Sequence, residues 1–141
     1  MNTATVQSTQ QKKPAHPNNI PLFVPYLAVE SVEKTVKLYE TVFGFETLMT
    51  APGEDGVAMH AEMRYFDMVI MFGDVKSFPS TTKTPHQGGF DCPVCLYFYV
   101  EDVDAHFNRT KTSGLTIASE PADQPYGDRN YQVKDHDGYL F

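Results

Sequence analysis

Val29-Glu30-Ser31-Val32-Glu33 recurs as Val100-Glu101-Asp102-Val103-Asp104, 71 residues further along a chain of 141. Each copy closes an apolar run of strand length, residues 22–29 in the first and 94–100 in the second. Each also opens a helix. Val32, Val36, Tyr39 and Phe43 fall on one helical face after Ser31, a suitable N-cap, and Gly44 ends the helix. In the second copy Val103, Phe107 and Thr110 share a face and Gly114 is the stop. Self-similarity at a fixed offset means that neither unit covers its own sheet, so the two must pack together.

Outward from these helices, the first copy continues into three strand-like pieces, residues 45–50, 57–65 and 68–72. They are separated by the loop Pro52-Gly53-Glu54-Asp55-Gly56 and a tight turn at Phe66-Asp67. The second copy continues into residues 116–119, 130–134 and 139 to the end. Both halves therefore read βαβββ, and the fold class is α+β: two modules forming a curved mixed sheet around an open cup. Residues 1–19, rich in Gln, Thr, Lys, Pro and Asn, offer little to bury and are expected to form a disordered tail. The folded domain is expected over 20–141, as modules 20–73 and 92–141 joined by a linker over 74–91 that lacks periodicity.

Composition narrows the function. The chain is 41% hydrophobic, with a formal charge of −7 and scattered Lys and Arg, so a basic footprint for nucleic acid or an anionic membrane is missing. No apolar run is long enough to span a bilayer and the N-terminus lacks a secretory apolar region, so a cytoplasmic protein is expected. Ten Phe and eight Tyr, without a Trp, supply either a core or an aromatic-lined cavity. Phe23, Phe43, Phe98 and Phe107 are assigned to helix-to-sheet packing. There is no nucleophile elbow, phosphate loop or dinucleotide fingerprint.

Several segments, in order, carry a resemblance: Pro25-Tyr26-Leu27, Tyr39-Glu40-Thr41-Val42-Phe43-Gly44-Phe45, Gly56-Val57-Ala58-Met59-His60-Ala61-Glu62, Tyr99-Val100-Glu101-Asp102-Val103-Asp104, Tyr126-Gly127-Asp128-Arg129 and Asp135-His136-Asp137-Gly138. Together they resemble the vicinal oxygen chelate superfamily of glyoxalase I, bleomycin resistance proteins and extradiol dioxygenases, and within it the small PhnB-like, glyoxalase-like branch. The resemblance implies paired βαβββ modules forming a cup, completed by homodimerisation. Metal-dependent members hold their ion with His, Gln or Glu on the first and last strand of each module. Carried over, those positions fall on Val24, Met71 and Cys95, and the fourth lies just past Phe141, where the last strand is expected to continue. Only Cys95 could bind a metal there, so neither metal nor cofactor is expected.

Individual residues sharpen the picture. His60 and Glu62 lie two apart on a strand and share a face, with Met59, Ala61 and Met63 on the other, under the helices. His60 and Glu62 then face the cup as acid–base groups or as a hydrogen-bonded structural pair. Tyr26, Tyr97 and Tyr99 are placed on the cup side of the first strands, where phenol rings stack on planar ligands or on one another. Cys92-Pro93-Val94-Cys95 has CxxC spacing but enters a strand, which favours Cys95 as a small buried hydrophobe over a redox thiol. Arg129 could hold an anionic group or fix its loop by pairing with an acid. Asp135-His136-Asp137-Gly138 reads as a hairpin turn.

The leading expectation is a small-molecule binding protein of the sequestering, resistance type. Its apolar or aromatic ligand would be lined by Tyr26, His60, Glu62, Met71, Cys95, Tyr97 and Arg129. One alternative is a metal-dependent lyase, isomerase or dioxygenase using His60 and Glu62. Another is a dimeric interaction module whose cup its own side chains fill.

Overall fold

Strand β1 (Tyr26–Val29), helix α1 (Val32–Leu38), and strands β2 (Glu46–Pro52), β3 (Ala58–Tyr65) and β4 (Met68–Asp74) make the first half of the computed structural model, which describes residues 12–141. Of the expected tail, residues 1–11 lie outside the described residues, and 12–19 form neither helix nor strand. Ser31 caps α1 by accepting from the Lys34 amide, and Glu33 and Lys37 sit at the ends that suit the helix dipole. A widened π-helical turn, Tyr39–Phe43, comes next and ends at Gly44 in the left-handed conformation.

The four strands lie in the order β1-β4-β3-β2, with β1 parallel to β4 and the other pairs antiparallel. Ala61 pairs with Phe72 and Met63 with Ile70, and all four are buried beneath Val32, Tyr39 and Phe43. Each large member of that layer contributes about 1.5–3 kcal/mol by leaving water. Met59, expected in the same layer, is exposed near the end of β3. Phe23 is 86% exposed, so it does not pack between helix and sheet; it precedes β1 and no helix lies over it.

The segment expected as a featureless linker is ordered. A 3-10 turn (Val75–Ser77) leads to a short helix, α2 (Pro85–Gly88), which starts on a capping box between Thr84 and Gln87. Thr84 is fully buried and donates to Glu30, while the His86 amide donates to the Asp137 carbonyl. Local capping chemistry thus gives the segment a fixed place despite its lack of periodicity.

The second half contains α3 (Val103–Lys111), capped by Asp102, and the antiparallel pair β5 (Thr116–Asp123) and β6 (Arg129–Lys134). The repeat is visible in the pairing: Tyr26 with Met71 and Cys95 with Leu140 are both parallel partners 45 residues apart. The two halves differ in how the sheet is completed. In the first, β4 runs its full length between β1 and β3. In the second, the equivalent place holds Leu140 and Phe141, with Leu96 donating to Leu140 and Val133 exchanging both backbone bonds with Phe141 at 2.9 Å. Residues 97–100, expected within a strand, have no ladder partner among the described residues, and a cavity lies between them and β6.

Aromatic rings weld the halves together. Phe43 meets Phe141 at 4.9 Å, Phe98 at 6.2 Å and His106 at 6.1 Å between centroids. A buried polar latch reinforces them. The Tyr39 hydroxyl donates to Asp135 at 2.7 Å, and Asp137, fully buried, accepts from the Glu30 amide at 3.1 Å. The turn Asp135-His136-Asp137-Gly138 is therefore a hairpin, as expected, and also a clasp across the repeat. Burial pushes the Asp135 carboxyl up to about 6, against its hydrogen bonds.

Candidate functional site

The upper face of the first sheet is built from pairing rows. Tyr26, Met71, Glu62 and Met49 are successive partners across β1, β4, β3 and β2, so their side chains rise together. In the next row Gly73 pairs with both Ala28 and His60. A Cβ on Gly73 would lie 2.9 Å from both the Tyr26 hydroxyl and the Phe78 ring, so the missing side chain is what lets Tyr26 reach across β4. Its hydroxyl stands 3.3 Å from His60 Nδ1, with the rings edge-on at 5.5 Å, and His60 Nε2 lies 3.6 Å from Glu62. The carboxylate favours the proton on Nε2, which leaves Nδ1 to accept from Tyr26. The arrangement orients an imidazole between a phenol and an acid, a set able to dock a polar group or shuttle a proton.

The second half carries a cavity of about 280 Å³ in the slot beside β6. Phe43, Phe98, Phe141 and Val103 line its depth, and Tyr97, Tyr99 and Asp128 stand at its mouth. Both phenols donate to Asp128, at 2.8 and 3.3 Å, and the nearby carboxylate pushes the Tyr99 phenol upward. The Asn130 amide donates to Tyr97 and Tyr126, tying the rim into one network. His106, buried, stacks on Phe43 within the wall.

The residues singled out from sequence are thus divided. Tyr26, His60, Glu62 and Met71 share one sheet face, whereas Tyr97 and Arg129 border the cavity. Arg129 is committed to Asp104 through two bonds of 2.9 Å and to Asp123 at 3.0 Å, which hold its guanidinium firmly charged. Cys95 is exposed rather than buried, because its position beside Leu140 lies at the start of the segment and not under a helix. Partial burial and the adjacent Cys92 push its thiol upward, away from a reactive thiolate. Sequence reasoning passed over His106, Asp128 and Asn130. A signal existed for His106: it stands 71 residues after Thr35, and both are buried polar residues on the core face of their helix.

Three of the metal positions that the resemblance implies lie within this chain. They fall on Val24, Met71 and Cys95, a donor set without imidazole or carboxylate, and among the described residues no three His, Cys, Asp or Glu converge. No helix of the described residues is long and apolar enough to cross a membrane.

Comparisons with known proteins agree with this geometry. The sequence pattern of the Glyoxalase/Bleomycin resistance protein/Dioxygenase superfamily matches residues 16–141. An uncharacterized protein of Mycobacterium bovis, Mb0911c, is 31% identical over 121 residues, covering 84% of this chain and 79% of that protein. The crystal structure of TioX from Micromonospora sp. ML1 is 31% identical with a TM-score of 0.65, over 84% of this chain and 90% of that one. TnmS3, an antibiotic binding protein from Streptomyces sp. CB03234, shares the fold at 24% identity and a TM-score of 0.61, over 83% of this chain and 88% of that one. With the parallel pairing of Tyr26 and Met71 echoed in the second half around Cys95 and Leu140, and a family match over residues 16–141, the chain belongs to the glyoxalase/bleomycin resistance protein/dioxygenase superfamily.

Proposed function

We propose that this chain binds a small apolar or aromatic molecule and holds it unchanged, as a sequestering protein of the resistance type. The observation that carries the reading is the upper face of the first sheet, where Tyr26, Met71 and Glu62 rise in one row and the Tyr26 hydroxyl stands 3.3 Å from His60. Apolar side chains with a few placed polar groups are what small-molecule sites have in common. The fold serves antibiotic binding in TnmS3, which makes the architecture suitable without naming a ligand.

Native mass spectrometry of protein purified without chelators, combined with metal analysis, tests the reading. The expected result is a retained or added planar aromatic compound bound one to one, recovered intact, with no stoichiometric transition metal. Stoichiometric metal accompanied by turnover overturns it in favour of the enzyme reading, for which the Tyr26, His60 and Glu62 contacts are the favouring observation. In that event His60→Ala abolishes both metal retention and turnover.

A further inference from the structure

Glu62 has given up most of its water without gaining a donor. It stands on the upper face of the first sheet, with Met71 and Met49 as its pairing partners on either side. Only 18% of its side chain is exposed, yet among the described residues neither carboxylate oxygen accepts a hydrogen bond. His60 Nε2 lies 3.6 Å away, beyond hydrogen-bond length, and the other nitrogen of that ring faces the Tyr26 hydroxyl. Arg64, next on the same side of β3, donates instead to the Asn19 carbonyl at 3.1 Å and makes no ion pair with Glu62. A carboxylate in this state is held at a cost, which a donor brought by a ligand removes.

The rest of the row is thioether and ring. Met49 and Met71 flank the carboxylate, and the Tyr26 ring, with Phe78 at 5.4 Å, continues the apolar surface beyond Met71. Polarizable thioethers and aromatic faces take up a flat hydrocarbon body. In so dry a setting an ammonium group adds charge attraction to its hydrogen bond, which a neutral hydroxyl does not. The chain's charge of −7 likewise draws a cation toward the protein and repels an anion. We propose that this face takes a flat apolar or aromatic molecule bearing a protonated amine, with Glu62 as the acceptor for the ammonium group and Met71 and Tyr26 beneath the body. The proposal rests on the small-molecule reading and adds to it the charge of the ligand and the residue that reads it. The competing occupant is a second copy of the chain presenting a lysine or arginine to Glu62.

The discriminating experiment uses a matched pair of probes, 2-naphthylmethylamine and 2-naphthalenemethanol, titrated by calorimetry at neutral pH into the wild type and Glu62→Gln. Wild type is expected to bind the amine about tenfold more tightly than the alcohol, the scale of one charge-assisted hydrogen bond over a neutral one. Glu62→Gln is expected to erase that preference while retaining the alcohol. In the wild type, the methyl resonances of Met49 and Met71 should shift as the amine is added, a readout independent of whether the variant folds. Equal binding of the two probes by the wild type, a preference that survives in Glu62→Gln, or methyl shifts confined to other methionines overturns the proposal alone. Binding of neither probe overturns it together with the small-molecule reading. A wild type that sediments as a dimer beside a Glu62→Gln variant that sediments as a monomer shows the face closed by a second copy, and also overturns it.

Discussion

The two halves share a plan but present different working surfaces. In the first, β4 runs between β1 and β3, the underside buries Ala61, Met63, Ile70 and Phe72, and the upper face gathers Tyr26, His60 and Glu62. The second pairs β5 with β6, holds Leu140 and Phe141 beside them, and gathers Tyr97 and Tyr99 around Asp128. A repeated sequence therefore repeats the elements and their register, while the use of each surface depends on which segments lie side by side.

The comparison breaks first in the cores. Phe72→Ala removes a fully buried ring beneath the first sheet and should cost about 3–5 kcal/mol in urea unfolding. Phe98→Ala, at the partly exposed wall of the slot, should cost less than half of that. Equal losses would mean that the two halves are packed alike.

The clasp between the halves should make stability depend on pH. Asp135 titrates near 6 when folded and near 3.8 when unfolded, so its contribution is fully present below the unfolded value and declines as pH rises through the folded one. His136, raised by its bond to Asp137, acts in the same direction, since its stabilisation disappears as pH rises through its folded value. The Asp135 part amounts to about 2–3 kcal/mol between pH 4 and 7. Unfolding of Asp135→Asn measured at both pH values should lack that part of the slope; an unchanged slope would remove Asp135 from the clasp.

On the first sheet face, Gly73→Ala should push the Tyr26 hydroxyl away from His60, because the new methyl group meets flexible side-chain ends and not backbone. The nuclear Overhauser contact between the two rings should vanish, with a stability cost of no more than about 1 kcal/mol. If a ligand bridges both halves its affinity should fall with that contact; if it sits in the slot alone, binding should not change. The smallest effect is expected for Asp104→Asn, which loosens an exposed pairing with Arg129 that solvent already screens. A loss of probe binding there would instead assign Arg129 to the ligand.

Much of the fold was legible because the signals were local. The spacing of Val32, Val36, Tyr39 and Phe43, the Ser31 cap and the Gly44 stop act within a few residues, and the alternation around His60 and Glu62 acts along one strand. The linker helix was missed because it rests on a capping box and a buried Thr84 rather than on periodicity. Cys95 was misjudged because the apolar run around it does not reveal which end of the segment a helix covers.

By itself the sequence determined the repeat, the α+β class, the helices and the shared face of His60 and Glu62, since each arises from short-range periodicity, capping and composition. Only the tertiary structure decided that Tyr26 crosses Gly73 to reach His60, that Asp135 and Asp137 clasp the two halves, and that His106 packs between Phe43 and Phe98. Those features depend on partners as far as 107 residues apart, brought together by strand register and by the burial of one half against the other.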